Sequence, residues 1–145
     1  MIEVYTDGSS LGNPGTGGWA FTLVIKNKNV SKYGYVENAT NNQMELTAAI
    51  KSLEYLYNTK DKLKIYTDSL YLKNGMTIWI KNWNKNNWKT ANNKNVLNKD
   101  LWLKLYDLSK NKEIYWEWVK AHSKNFKNNE VDNLARTAAE NKIFN

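Results

Sequence analysis

The sequence predicts an α/β fold in which an antiparallel meander of three strands is continued by a parallel strand reached through a helix. Three observations carry the prediction. The track Ile2-Glu3-Val4-Tyr5-Thr6-Asp7-Gly8-Ser9 is echoed by Leu63-Lys64-Ile65-Tyr66-Thr67-Asp68-Ser69, so two β-branched and aromatic runs each end on an aspartate. Two further strand candidates follow the first track directly. Between them and the echo the apolar period shifts from two residues to three and four. With a helix in the connection, the echoed strands can lie parallel and adjacent, which puts Asp7 and Asp68 at one edge of the sheet. Open α/β sheets take their ligands at that edge, outside the carboxyl ends of the strands.

The first strand covers residues 2 to 7 and runs into Leu11-Gly12-Asn13-Pro14-Gly15-Thr16-Gly17-Gly18, a turn-rich loop containing the only proline. Residues 19 to 25 and 31 to 37 form the second and third strands, with Lys26-Asn27-Lys28-Asn29 as the hairpin turn. From Asn42 onward Leu46, Ala49, Ile50, Leu53, Leu56 and Tyr57 recur at helical spacing, predicting an amphipathic helix to about Asn58. The fourth strand is residues 63 to 67. Residues 70 to 110 read as helical but broken: 71 to 82, a basic and aromatic knot from 83 to 95, then 100 to 109. The fifth strand is Ile114-Tyr115-Trp116-Glu117-Trp118-Val119, and its end meets His122. Residues 123 to 129 have no apolar period apart from Phe126 and are expected to form a mobile loop. The last helix starts near Asn129 or Glu130 and turns Val131, Leu134, Ala135 and Ala138 inward.

At 145 residues the chain fits one domain, residues 1 to 145, with one core. Cysteine is absent, which excludes a disulfide framework and a thiolate metal site and suits a reducing cytoplasm. No run approaches a membrane span and no signal segment leads the first strand, so a soluble, cytoplasmic protein with no membrane partner is expected. The net charge of +7 comes almost wholly from lysine, with Arg136 the only arginine. Such a balance favours polyanionic partners, although surface lysines also serve solubility.

Glu45 falls in the first turn of the first helix, near its packed stripe. The simpler explanation is a capping box, with Asn42 as N-cap and Glu45 three residues on. Asp132 opens the last helix, where a negative charge is favourable in any case. Helices that follow parallel strands begin at the edge where those strands end, so Asp7, Glu45, Asp68 and Asp132 can converge. Four carboxylates packed together repel unless cations sit between them. Oxygen-only ligands select Mg²⁺ or Mn²⁺ over zinc. Two such ions about 4 Å apart support in-line displacement at phosphorus, so phosphodiester hydrolysis is the natural reaction. His122, the only histidine, is either a hydrogen-bonded structural residue or a group that accepts and hands on a proton.

Taken together, Tyr5-Thr6-Asp7-Gly8-Ser9, Gly12-Asn13-Pro14-Gly15, Thr40-Asn41-Asn42-Gln43-Met44-Glu45-Leu46, Thr67-Asp68-Ser69, Trp118-Val119-Lys120-Ala121-His122 and Val131-Asp132-Asn133-Leu134-Ala135-Arg136 resemble type 1 ribonuclease H across essentially the whole chain. That family cuts the RNA strand of RNA–DNA hybrids with metal ions. The resemblance implies a mixed five-stranded sheet flanked by helices, with strands one to three antiparallel and strands one, four and five parallel. It also implies Asp7, Glu45, Asp68 and Asp132 as ligands of two Mg²⁺ ions, with Mn²⁺ as substitute, His122 assisting proton transfer or product departure, and 5′-phosphate products. A monomer suffices for that chemistry.

The same resemblance places Asn13, Asn41, Asn42 and Gln43 along the minor groove of the hybrid, where the 2′-OH tells RNA from DNA. Thr40 and Asn98 match a pocket for a phosphate of the DNA strand. Residues 79 to 89 resemble the basic handle of bacterial members, with Trp83 and Lys85 as candidate substrate contacts. Trp79 and Trp83, four apart, equally suit core packing, and the lysines can neutralise phosphates without reading sequence. The chain departs from bacterial relatives at Gln43 and at Asn84 to Asn87, which implies weaker hybrid affinity with the chemistry unchanged, and at Ala121, where a common glycine before the histidine is replaced and the motion of residues 123 to 129 is affected. A P-loop is excluded because no Gly-Lys-Ser/Thr follows the glycines. A non-catalytic hybrid-binding module and a related nuclease or resolvase are the competing readings.

Overall fold

In the computed structural model, which describes residues 1–121 and 125–145, one mixed sheet holds five strands. They are β1 (Ile2–Leu11), β2 (Gly15–Ile25), β3 (Lys28–Ala39), β4 (Leu63–Thr67) and β5 (Ile114–Trp118), in the order β3-β2-β1-β4-β5. β1 and β3 flank β2 antiparallel, β4 runs parallel to β1, and β5 parallel to β4. The register sets Val4 beside Ile65 and Tyr5 beside Tyr66, so the two echoed tracks lie in step. Both therefore deliver their aspartate to the same sheet edge.

The meander is longer than its sequence suggests. Ser9 pairs with Gly18, Ser10 with Gly17 and Leu11 with Thr16, so much of the expected loop is strand. Only residues 12 to 14 turn, with Gly12 at φ 90° and a cis bond at Asn13–Pro14. The next hairpin turns on two residues, Lys26 and Asn27, at φ 49° and 66°. A pair of positive φ values matches the right-handed twist of the flanking strands, which leaves Lys28 and Asn29 free to start β3.

Helices cover both faces of the sheet, and strand alternation decides which residues meet them. Ile2, Val4, Phe21, Leu23, Leu63 and Ile65 join one buried cluster with Leu46, Ile50 and Leu53 of α1 (Asn41–Tyr55). Tyr5 and Ala20 point the other way, onto Val131 and Ala135 of α5 (Phe126–Asn141). Because β1 is covered on both sides, its side chains are buried at consecutive positions from Val4 to Asp7.

Two helix starts differ from expectation. The N-cap of α1 is Thr40: its Oγ1 accepts from the Gln43 N–H at 3.1 Å, and Gln43 Oε1 accepts from the Thr40 N–H at 3.0 Å. That reciprocal pair is the capping box, which moves the cap two residues ahead of Asn42 and leaves Glu45 with no capping duty. The last helix begins at Phe126, capped by Asn125, whose side chain accepts from the Asn128 N–H at 2.9 Å. Asp132 consequently sits in its second turn, not at its opening, and residues 126 to 129 are helix where a loop was expected.

At its other end α1 stops at Tyr55, short of Asn58, and Lys112 ties down the turn that follows. Its Nζ donates to Leu56 O at 3.0 Å, Tyr57 O at 3.2 Å and Thr59 O at 3.0 Å. An ammonium there also opposes the negative end of the helix dipole. Lys112→Met keeps the aliphatic stem and removes all three donors. The expected result is a loss of about 1.5–3 kcal/mol, the range for hydrogen bonds to a charged group, read as a lower midpoint in urea at unchanged slope.

Between β4 and β5 the chain forms α2 (Leu70–Asn74), a π-helical turn (Gly75–Trp79), α3 (Ile80–Lys85) and α4 (Lys99–Ser109). The predicted break at residue 83 is absent, since helical backbone continues to Lys85. The π turn starts where Gly75 abuts Trp102: a Cβ there would lie 2.0 Å from the indole. β5 ends one residue earlier than expected, although the Val119 N–H still donates to Thr67 O at 2.9 Å.

Candidate metal centre and nucleic-acid interface

Three carboxylates meet where β1, β4 and α1 converge. Asp7, 2% exposed, leaves β1 beside Ala20 of β2. Gly8 follows it and lies directly under the first turn of α1, where a Cβ would stand 2.2 Å from the Met44 carbonyl carbon. Only glycine allows that approach, and it lets the Gly8 N–H donate to Glu45 Oε1 at 2.9 Å. Asp68 follows the last residue of β4. Trp118 Nε1 donates to its carbonyl at 3.0 Å, the Ser69 N–H donates to Thr67 Oγ1 at 3.0 Å, and Ser69 Oγ accepts from the Leu72 N–H to cap α2. One oxygen from each of Asp7, Glu45 and Asp68 lies within 4.8 Å of the others.

Asp132 comes from α5 and stands at the margin of this group. Its carboxyl reaches that of Asp7, while its Oδ2 lies 3.6 Å from Arg136 Nη2 one helical turn on. His122 lies outside the described residues.

Crowding leaves its mark on protonation. Burial first, then the charge of Asp68 and contact with Asp132, push the Asp7 carboxyl up to about 9. Glu45 is held well above the usual carboxylate range by burial and by the charges of Asp7 and Asp68. A divalent cation relieves the same repulsion that raises these groups, because it replaces a shared proton with two positive charges. The donor set is oxygen only, which fits Mg²⁺ or Mn²⁺ and does not fit zinc.

The amide side chains expected to meet a nucleic acid gather one turn away. Asn13, Thr40, Asn41, Asn42, Gln43 and Asn98, with Leu97, line a depression of about 360 Å³ at the N-terminus of α1. Several of them fix one another. Asn13 Oδ1 accepts from the Asn41 N–H at 2.9 Å, and Asn41 Oδ1 accepts from the N–H and the hydroxyl of Ser10 at 2.8 and 3.0 Å. Gln43 Nε2 donates to Asn98 Oδ1 at 3.3 Å. The other two expected contacts lie apart from this depression. Lys85 is exposed at the end of α3, and Trp83 is packed among Trp79, Trp88 and Trp102 at centroid distances of 5.8, 6.1 and 5.2 Å. That environment is the core packing foreseen for it.

Sequence reasoning missed two parts of the site. Ser10 orders Asn41, yet nothing in its spacing predicts a partner 31 positions away. Arg136 pairs with Asp132, and that signal was available, since residues four apart on a helix share a face.

Comparison with known proteins agrees with this geometry. The sequence model of the RNase H family matches residues 1–140. A ribonuclease H of Wolbachia sp. subsp. Drosophila simulans is 48% identical over 137 residues, covering 94% of this chain and 94% of that protein. A ribonuclease H of Rickettsia massiliae is 47% identical over 143 residues, covering 98% of this chain and 93% of its own length. Among solved structures, LC9-RNase H1, a type 1 RNase H with the type 2 active-site motif, superimposes with a TM-score of 0.86 at 27% identity, over 99% of this chain and 74% of that one. LC11-RNase H1 in complex with RNA/DNA hybrid shares the fold with a TM-score of 0.75 at 21% identity, over 97% and 98% of the two chains.

Proposed function

The chain belongs to the ribonuclease H family, and from that premise we propose that it hydrolyses the RNA strand of RNA–DNA hybrids, leaving 5′-phosphate products. The observation that carries the proposal is the trio Asp7, Glu45 and Asp68 within 4.8 Å, one helical turn from an amide-lined depression. A pure binder of a polyanion gains nothing from buried acids facing its ligand.

Asp7, Glu45 and Asp68 would hold two Mg²⁺ ions in this reading, with Asp132, which now pairs with Arg136, as the fourth ligand. When bound, the ions lower the pKa of the attacking water and offset charge on the leaving oxygen. The chain itself supplies orientation. Gly8 and Trp118 aim Glu45 and the Asp68 turn at a common point, so these two groups need not reorganise during reaction. His122 completes the set as the group that moves a proton or hastens product departure. Asn13, Asn41, Asn42 and Gln43 read the minor groove, Thr40 and Asn98 receive a DNA-strand phosphate, and Lys85 adds affinity that falls with salt. The whole chain acts as one domain, as a cytoplasmic monomer. No described helix is long and apolar enough to cross a membrane.

The proposal is tested by incubating the protein with a labelled hybrid and Mg²⁺ or Mn²⁺. Fragments of the RNA strand alone, bearing 5′-phosphates, are expected. Cutting of duplex DNA, or no cutting with either ion, defeats it.

A further inference from the structure

Tyr71 of α2 does not line the depression, yet a chain of hydrogen bonds ties its hydroxyl to residues that do. The Thr40 N–H donates to Gln43 Oε1 at 3.0 Å, and Gln43 Nε2 donates to Asn98 Oδ1 at 3.3 Å. Asn98 Nδ2 then donates to the Tyr71 hydroxyl oxygen at 3.1 Å, and Trp102 Nε1 donates to the same oxygen at 3.1 Å.

The order of donors and acceptors along this chain is not free. A backbone N–H can only donate, so Gln43 must present Oε1 to Thr40 and hence Nε2 to Asn98. Asn98 must then offer Oδ1 to Gln43 and Nδ2 to Tyr71. An indole N–H can also only donate, so the Tyr71 oxygen accepts from Trp102 as well as from the Asn98 amide that Gln43 has oriented. Asn98 needs this anchorage. It sits at φ 59° and ψ 32° ahead of α4, and its side chain makes no capping bond to that helix. The Tyr71 ring is itself fixed, with Trp102 and Trp79 at centroid distances of 5.2 and 5.9 Å.

One hydrogen of each amide nitrogen is consumed by the chain, and the second remains to be offered to an incoming oxygen. With the Thr40 hydroxyl, whose oxygen already accepts from the Gln43 N–H, the depression presents a row of donors. Donors in a row suit a phosphate. If Asn98 turned over, its carbonyl oxygen would face the phosphate and repel it.

We propose that Tyr71 is a positioning residue for the nucleic-acid strand bound opposite the one that is cut, acting by locking the Asn98 amide with its nitrogen toward that strand. The inference rests on the proposed hybrid substrate. It departs from that reading in assigning a recognition role to a residue of the aromatic cluster.

The test is a double-mutant cycle on hybrid affinity, measured by fluorescence anisotropy without divalent ion, alongside KM and kcat with Mg²⁺. Tyr71→Phe keeps the ring and its stacking and deletes the acceptor. Affinity should fall and KM rise about fivefold to tenfold, the scale of one lost hydrogen bond, with kcat changed less than about twofold. Asn98→Ala should do the same, and the double variant should be no worse than Asn98→Ala, since both act through one amide. Tyr106→Phe, in contact with Trp88 of the same cluster, is the control and should change neither. In the unmutated protein, the Asn98 side-chain NH₂, hydrogen-bonded at a half-buried position, should exchange with solvent more slowly than that of exposed Asn42. Additive losses in the double variant, an unaltered KM in Tyr71→Phe, or equal exchange at Asn98 and Asn42 would each overturn the inference. A wild-type protein that binds hybrid and does not cut it would defeat the proposed function alone, because affinity and exchange still read the role of Tyr71.

Discussion

Asp7→Asn is expected to abolish cutting and, in the absence of divalent ions, to make the protein more stable. The loss of activity should be on the order of 10⁴-fold, the scale seen when one member of a concerted catalytic set is removed. The gain in stability follows from burial and crowding. In the folded chain the Asp7 carboxyl is pushed up to about 9 by burial and then by Asp68, whereas in the unfolded chain it titrates near 4. A carboxyl raised on folding binds its proton more tightly in the native state, so its contribution is intact below about pH 4 and is lost as pH rises through about 9. Wild-type protein without metal should therefore lose Tm steadily over that window. Asp7→Asn, which carries no titrating proton there, should show a flatter profile and, at pH 8, a Tm higher by about 3 °C or more, at a few degrees per kcal/mol. Addition of Mg²⁺ should raise the wild-type Tm and leave the variant almost unmoved, since the ion stabilises only what binds it. A variant with wild-type cutting, or one destabilised without metal at pH 8, would remove Asp7 from the centre. Hybrid affinity without metal should stay near the wild-type level, because the proposed phosphate contacts lie in the depression at the start of α1 and not at Asp7.

Much of this centre was legible before any coordinates. The echo of Tyr5-Thr6-Asp7 in Tyr66-Thr67-Asp68 became an aligned parallel pair because both tracks alternate side chains identically, and alternation fixes register where both faces are buried. The antiparallel meander was read from the same alternation, Glu45 was placed by helical spacing, and the parallel fifth strand came from the family resemblance. What was not legible lay in asparagine-rich and glycine-rich stretches. Asparagine suits caps, turns and helix surfaces alike, so Thr40 lost to Asn42 as the expected cap, and the start of α5 was set three or four residues late. That error put Asp132 at a helix opening, when it stands a turn further in, beside Arg136. Glycine misled in the other direction. Gly15, Gly17 and Gly18 read as loop but are strand, because glycine also serves where a backbone or side chain packs close against a strand. Such contacts come from distant parts of the chain and leave no local pattern.

Gly8 makes that last point testable, because it can be altered without touching any charge. A methyl group there would lie 2.2 Å from the Met44 carbonyl carbon, 2.4 Å from its oxygen and 2.5 Å from the Glu45 nitrogen. Carbon atoms in ordinary contact are about 3.5–4.0 Å apart, so α1 must retreat by more than about 1 Å or β1 must bow. Neither is easy. α1 is fastened by its capping box and by Leu46, Ile50 and Leu53 in the core, while β1 is paired on both sides. Gly8→Ala should cost about 1–3 kcal/mol or more, as overpacked sites do, and lower Tm accordingly. It should also break the bond from the Gly8 N–H to Glu45 Oε1 and shift that carboxylate away from Asp7 and Asp68. A displacement of about 1 Å at reacting groups costs about 10²-fold in rate. Cutting should fall by that factor with all four carboxylates present, and excess Mg²⁺ should not restore it, because geometry and not ligand charge has been lost. Gly17→Ala is the matched control: its methyl would meet the Met44 side chain at 2.6 Å and the Ala39 Cβ at 2.9 Å, both side chains, whereas the methyl of Gly8→Ala meets the backbone of α1. Stability and rate should there change much less. Equal effects at the two glycines, or recovery of Gly8→Ala at high Mg²⁺, would mean that the close seat of α1 on β1 does not set the position of Glu45.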